Sequence, residues 1–404
     1  MNDRPSILLV KPILPFPPDQ GTRVVSFNLI QDLSQRYNVT VLARVLDRHE
    51  ESLARELERH CHRVVTVMAP NRRNLLTRIG YRIAYAIRSA LTRRGLKSLY
   101  DCPGAFVRAA RALAREPFDL VIVEYWQLYP LFDVFDAGRL VLLTHDIDML
   151  VNRQAALLER HLFRKIRLVR RWLGEQREEV HAYQRVRRIL ALTERDAAAV
   201  RKLTRDRAEV SVLPVGIDVS DEAEDSVERR RDEILFMGAM GAWFNRDAIV
   251  YFVRHILPLL EESDARITVV GGELPREVAS IGTHARVHVV GKVEDVTPYL
   301  ARATCIVIPM RFGGGLRVRV LESMAAGLPV ICTSVAIAGM DFEPGRDFLL
   351  ADDAASFAGE IVRLLEDTDL ARTLAQNARR QVRARYGRAV QRERLFKLMQ
   401  DIVA

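Results

Sequence analysis

The sequence predicts two open α/β domains in series, each a parallel sheet covered by helices on both faces. Three observations predict it. The chain has 404 residues, more than one hydrophobic core of ordinary size accommodates, so two domains of roughly 150 to 200 residues are expected. Its first half alternates short apolar runs with helical patterns, as a sheet buried on both faces requires. That alternation begins again after a charged, turn-rich stretch, Val219 to Arg231.

The apolar runs of the first half are Ile7 to Val10, Val39 to Leu42, Val64 to Met68, Leu120 to Val123, Leu140 to Leu143 and Ile189 to Leu192. Those of the second half are Ile234 to Met237, Ile267 to Val270, Val287 to Val290, Ile306 to Ile308 and Val330 to Cys332. Each of the latter runs into glycine, proline or a turn, as strands do at the carboxyl edge of an open sheet. The domains therefore read as Rossmann-like, over residues 1–215 and 216–385, joined near Leu213 to Asp221. A helical segment over 386–404 follows a break at Tyr386 and Gly387, and packing back on the first domain is one arrangement open to it. Ligands of such sheets sit outside the carboxyl ends of the strands, which makes a cleft between two facing sheets the expected active site.

Composition removes several classes. Apolar residues at 49% and charged residues at 28% describe a globular chain, and no apolar run approaches the roughly 20 residues that span a bilayer. The first eighteen residues carry Asp3 and only a short apolar run before prolines, a poor secretion signal. Cys61, Cys102, Cys305 and Cys332 have neither zinc-ligand spacing nor the density of a stapled secreted fold, so a reducing cytoplasm is expected. The net charge of +9 leaves nucleic acid, an anionic membrane face and phosphorylated small molecules open. Its distribution narrows the choice. Residues 71–94 hold seven arginines and no acid, interleaved with apolar residues at helical spacing, and residues 160–172 hold six Arg or Lys and no acid, threaded with Leu162, Phe163, Ile166, Leu168 and Val169. Arginines on amphipathic helices, with no aromatic residues spaced along a basic groove, suit anionic lipid or a diphosphate better than nucleic acid.

The most informative segment runs from Ile306 to Val330. A buried strand ends at Pro309, and Gly313, Gly314 and Gly315 precede a helix that stops at Gly327. Glycines allow close backbone approach, and free amides at a helix start attract an anion. With the helix beginning at the glycines, Gly315, Arg319 and Glu322 fall on one face, with Arg317 nearer the loop: amides and guanidinium for phosphates, a carboxylate for ribose hydroxyls. A solvated Arg319–Glu322 pair is the plainer alternative.

Several ordered segments resemble the group 1 (GT4-type) glycosyltransferases. Gly313-Gly-Gly-Leu-Arg-Val-Arg-Val-Leu-Glu-Ser-Met-Ala-Ala-Gly-Leu-Pro-Val330, Thr333 to Gly339 and Gly345 to Asp352 resemble the donor-binding half of that family. Ile234 to Met240 with Asn245, Thr193-Glu-Arg-Asp-Ala197, Leu213 to Asp218, Pro17 to Arg23 and Thr144-His-Asp146 resemble its other signatures. The resemblance implies a GT-B fold, with a nucleotide sugar held by the second domain and a glycan, lipid-linked or other hydroxyl acceptor by the first. It implies retention of anomeric configuration, no metal and no cofactor beyond the donor. Catalytic roles fall to His145, Arg317 and Arg319. Donor contacts fall to Gly21, Gly238, Val293, Gly313, Gly314, Gly315, Arg317, Arg319, Glu322 and Gly339.

The chemistry is then electrostatic: charge growing on the departing diphosphate is met by Arg317, Arg319 and loop amides. In two places the chain departs from the family pattern. Where many relatives carry the first Glu of Glu-x7-Glu, this chain has Gly314, matching a branch with a Gly-Gly-Gly-x-Arg-x-Arg loop; and Gly238 to Phe244 contains no basic residue. A nucleotide-sugar epimerase of similar fold would have to draw acid and base from His145, Glu124 and Asp146. A catalytically silent nucleotide-sugar-binding partner is the non-enzyme alternative. The loop Glu124 to Tyr129 is expected on the acceptor side, with Trp126 and Tyr129 equally suited to the core.

Overall fold

The computed structural model of the chain describes residues 4–69, 84, 95–219, 230 and 232–403. The basic stretch over 71–94 lies outside the described residues, apart from Ala84. The chain divides into two compact units, residues 1–214 with 394–404, and residues 215–393.

The first unit is built on seven parallel strands: β1 (Ser6–Lys11), β2 (Asn38–Val45), β3 (Arg63–Met68), β4 (Leu120–Glu124), β5 (Leu140–Thr144), β6 (Arg188–Ala191) and β7 (Glu209–Val212). They lie in the order β3-β2-β1-β4-β5-β6-β7. Ile7, Leu8, Leu9 and Val10 of β1 are wholly buried, because β2 and β4 flank the strand and helices cover both faces. In the second unit β8 (Glu233–Met237), β9 (Arg266–Val270), β10 (Val287–Gly291), β11 (Cys305–Ile308), β12 (Val330–Cys332) and β13 (Leu349–Leu350) lie in the order β10-β9-β8-β11-β12-β13. In both sheets the winding direction reverses beside the first strand of the unit, between β1 and β4 and between β8 and β11. Such a switch point opens a crevice at the carboxyl edge.

Local chemistry sets the helix starts. Thr193 caps the helix Glu194–Thr204 by accepting from Asp196 N, while its hydroxyl donates to the Asp196 carboxylate at 2.7 Å. Asp47, Asp353 and Asp367 cap their helices in the same way, each satisfying an amide that the helix leaves free.

Two strands were not expected from the sequence, β7 and β13. Both are edge strands with a single neighbour; β7 is only partly buried and β13 has two residues, so neither has the long apolar run of a central strand. The helix Arg388–Val403 ends in the first unit, where the Arg36 guanidinium lies 3.9 Å from the Phe396 ring centre and Arg188 Nη1 donates to Ile402 O at 3.0 Å. Trp126 belongs to the core: it is 1% exposed and its Nε1 donates to Asp148 Oδ2 at 2.8 Å. An indole that must bury its ring needs such an acceptor for its N–H.

Candidate active site

In the first unit the switch point carries a buried polar cluster. Lys11 closes β1 and Glu124 closes β4, each after four apolar residues. Lys11 Nζ lies 2.7 Å from Glu124 Oε2 and donates to Thr22 O at 3.1 Å. Ser26, on the helix Gly21–Leu33, donates to the same carboxylate oxygen at 2.7 Å and also meets Lys11 Nζ. His145, just past β5, places Nε2 2.7 Å from Glu124 Oε2. Its ring stacks on Tyr125 with centroids 4.6 Å apart. Tyr125 itself holds a φ of 74°, a left-handed backbone that a side chain seldom adopts and that is found where packing enforces it.

The charges of this cluster follow from burial and pairing. Burial alone would push the Glu124 carboxyl up, but Lys11 and His145 outweigh it and hold it at about 2. Burial, with Lys11 nearby, pulls His145 down against the opposing pull of Glu124. Glu124 is therefore an anion and His145 a neutral ring that donates Nε2–H to it, leaving Nδ1 as the lone-pair nitrogen.

His145 is 2% exposed, because Glu124 ties down Nε2 and Tyr125 covers a ring face. Sequence reasoning passed over Lys11 and Ser26. The signal was a charged residue ending an otherwise apolar, doubly covered strand: such a charge must find a partner, and the neighbouring strand end supplies it. Gly21 is the first residue of the helix that follows β1 and is exposed.

In the second unit the switch point is formed by the turn after β8 and the glycine loop after β11. Arg319, on the helix Val318–Ala325, donates from Nη1 to Met237 O at 2.6 Å and from Nη2 to Asn245 Oδ1 at 2.7 Å. Asn245 in turn donates to Ala239 O at 2.9 Å. Arg319 thus clasps the end of β8, and Gly238 is the residue it passes: a Cβ there would stand 2.4 Å from Arg319 Nη1. Arg317 occupies the position just before the same helix, is 8% exposed, and stacks its guanidinium 5.0 Å from the Phe244 ring centre. Gly313, with φ 154°, leaves room for it, since a Cβ would meet Arg317 Nη2 at 2.3 Å.

The helix does not begin at the glycines. Gly315 is left-handed at φ 66° and Arg317 is non-helical, so the first helical residue is Val318 and Gly315 is not on the helical face of Arg319 and Glu322. Arg319 spends its fork on protein acceptors, so it brings a fixed positive charge more than free donors. Burial and Arg317 pull its guanidinium down to about 9 while Glu322 holds it up, and it stays cationic at neutral pH. Burial raises the Glu322 carboxyl to about 6 against the pull of Arg319. Val293 lies half-buried two residues beyond β10, and Gly339, at φ 82°, lies in the exposed turn after the helix Ser334–Ile337 that follows β12.

Residues 231–367 match the family model described as glycosyl transferases group 1, and residues 46–221 match that of glycosyltransferase family 4. The chain belongs to the group 1 glycosyltransferase family. The glycosyltransferase is 20% identical over 391 residues, 92% of this chain and 94% of the relative, to an uncharacterized 44.6 kDa protein in the cps region of Klebsiella pneumoniae. In fold it is similar to sucrose-phosphate synthase of Thermosynechococcus elongatus, with a TM-score of 0.73, 19% identity and 99% of each chain covered. It is also similar to HepE of Anabaena in complex with UDP and glucose, with a TM-score of 0.67, 13% identity, and 98% and 100% of the two chains covered. Two parallel-sheet units of this kind form the GT-B-like arrangement that the glycosyltransferase shares with these structures.

In the glycosyltransferase Gly238, Asn245, Gly313, Arg317 and Arg319 converge at one switch point, Glu322 stands one helical turn beyond, and Gly21 and His145 flank the other switch point. Val293 follows β10 at one edge of the sheet, and Gly339 follows the helix after β12.

Proposed function

We propose that the glycosyltransferase moves a sugar from a nucleoside diphosphate donor to a hydroxyl of a glycan or lipid-linked acceptor, with retention of configuration and without a metal, in polysaccharide or glycolipid synthesis. The observation that carries this reading is the pairing of Arg317 and Arg319 with the glycine loop at the β8/β11 switch point. Two guanidiniums and backbone amides at a carboxyl sheet edge attract a diphosphate and repel a divalent cation, so the leaving group's growing charge is met by protein groups already in place. Because that diphosphate oxygen can take the acceptor's proton on the face it leaves, retention needs no separate base. Glu322, when ionised, accepts from ribose hydroxyls.

UDP is the donor nucleotide to try first, since it is the one bound in the HepE structure. Isothermal titration with UDP, GDP and ADP tests the site. UDP binding that is lost in Arg317→Ala supports it, and wild-type protein that binds none of the three rejects it. With a binding donor sugar in hand, the anomeric proton coupling of the first-formed product, read by NMR, tests retention.

A further inference from the structure

The helices Asp148–Leu158 and Leu162–Gln184 form an antiparallel hairpin whose tip stands clear of the first unit's core. Its base is anchored by Met149, Val151, Asn152, Ala155, Ala156, Ala182 and Tyr183, all buried, whereas no residue from 157 to 178 is buried. On that tip the large apolar side chains face water: Leu157 is 67% exposed, Leu162 65%, Phe163 77%, Ile166 49% and Leu173 51%. Solvent-exposed apolar groups so concentrated mark a surface that is covered in use.

From residue 160 to 174 the charges beside them are all basic. Leu162, Ile166 and Leu173 share a stripe at i, i+4 and i+11, with Phe163 and Arg170 beside it and Arg164, Arg167 and Arg171 further round the exposed arc. All four arginines are exposed. The nearest acids are occupied locally: Glu159 accepts from His161 N at 2.8 Å, and Glu175 accepts from Arg171 Nε at 2.8 Å and Asn152 Nδ2 at 2.6 Å. Among the described residues no helix is long and apolar enough to cross a membrane.

We propose that this hairpin tip docks the first unit onto an anionic lipid bilayer. Leu157, Leu162, Phe163 and Ile166 enter the boundary between headgroups and acyl chains, and the arginines pair with lipid phosphates at the same depth. A second copy seated on the patch by two-fold symmetry would bring like-charged arginine rows together. Nucleic acid would satisfy the arginines and leave the leucines wet. The surface is separate from the nucleotide-binding residues, and its test does not depend on them.

Flotation of the full chain with vesicles of phosphatidylcholine alone, or mixed with phosphatidylglycerol, reads the docking. Binding is expected only with the anionic vesicles, weakening as salt is raised. Phe163→Ser with Ile166→Ser is expected to weaken it at least tenfold, from the apolar area withdrawn. Arg164→Gln with Arg167→Gln is expected to weaken it by about fivefold per charge. These side chains are exposed, so both variants keep the wild-type melting temperature and nucleotide binding. Equal binding to both vesicle types overturns the proposal, as does unchanged flotation of both variants. So does a wild-type dimer that Phe163→Ser with Ile166→Ser dissociates, because a second copy is then what covers the patch.

Discussion

Lys11 Nζ and Glu124 Oε2 meet at 2.7 Å with neither side chain exposed to solvent, at the point where the first sheet reverses its winding. Each is the other's main compensation for leaving water. Removing one partner leaves an uncompensated buried charge, which costs on the order of 3–5 kcal/mol. Glu124→Ala is therefore expected to unfold the first unit at clearly lower urea, read by the fluorescence of the buried Trp126. The double variant Lys11→Met with Glu124→Gln is expected to cost less than the sum of the two single changes, and strict additivity would sink the idea that they compensate each other.

The same pair makes a pH prediction. Glu124 is held at about 2 where an ordinary carboxyl stands at 4.5. A depressed carboxyl contributes stability that is present above its unfolded value and lost as pH falls through the window from 4.5 towards 2. His145, held below its ordinary 6.5, adds to acid lability, because the unfolded ring takes up a proton that the folded one refuses. Acid titration of tryptophan fluorescence is expected to lose this sensitivity below pH 4.5 in Lys11→Met with Glu124→Gln.

Glu322 behaves in the opposite sense. Its folded value of about 6 is raised above the ordinary 4.5, so the folded state binds the extra proton and stability falls as pH rises through that window. Glu322→Gln is expected to raise stability at pH 8 by on the order of 1–2 kcal/mol, while weakening nucleotide binding. In the wild type, affinity is expected to climb as pH passes 6; calorimetry at pH 5 and 8 checks both halves, and a flat wild-type profile removes Glu322 from the ribose.

Gly238 separates close packing from loop entropy. A methyl group there meets Arg319 Nη1 at 2.4 Å, and that nitrogen is held by Met237 O, so Gly238→Ala forces the clasp open. The expected cost is about 1–3 kcal/mol for a strained, partly unpaired guanidinium, together with weaker nucleotide binding. Gly359, inside the helix Ala354–Glu366, has open space around it. Gly359→Ala is expected to stabilise by about 0.5–1 kcal/mol, and thermal melts compare the two.

The leaving-group role proposed for Arg317 and Arg319 is expected to fall on them unequally. Arg317→Ala removes a charge whose guanidinium lies against Phe244 and the glycine loop, and is expected to lower kcat by roughly 10²–10³. Arg319→Lys keeps a charge but cannot span Met237 O and Asn245 Oδ1 together, so it is expected to lose stability as well as rate. Donor hydrolysis, which needs no acceptor, measures both. A fall confined to KM would show that the arginines bind the ground state and transition state alike.

The periodicity of apolar runs determined the two sheets, because a strand covered on both faces must be continuously apolar, and all eleven runs, from Ile7 to Val10 through Val330 to Cys332, fall on strands, nine of them central. The glycine triplet and the two arginines stood out in the sequence as well, and the fold brings Gly313, Arg317 and Arg319 to one switch point. Three features were decided only by tertiary structure. β7 and β13 exist because a neighbouring strand offers free hydrogen-bonding groups, not because their own residues demand it. Where the helix at Val318 starts depends on the left-handed turn at Gly315, which spacing does not fix. The state of His145 depends on Lys11 and Glu124, residues more than a hundred positions apart, brought together by a strand crossover. Sequence chooses the chemical groups, but burial and distance set their charge, and both arise only when the chain is folded.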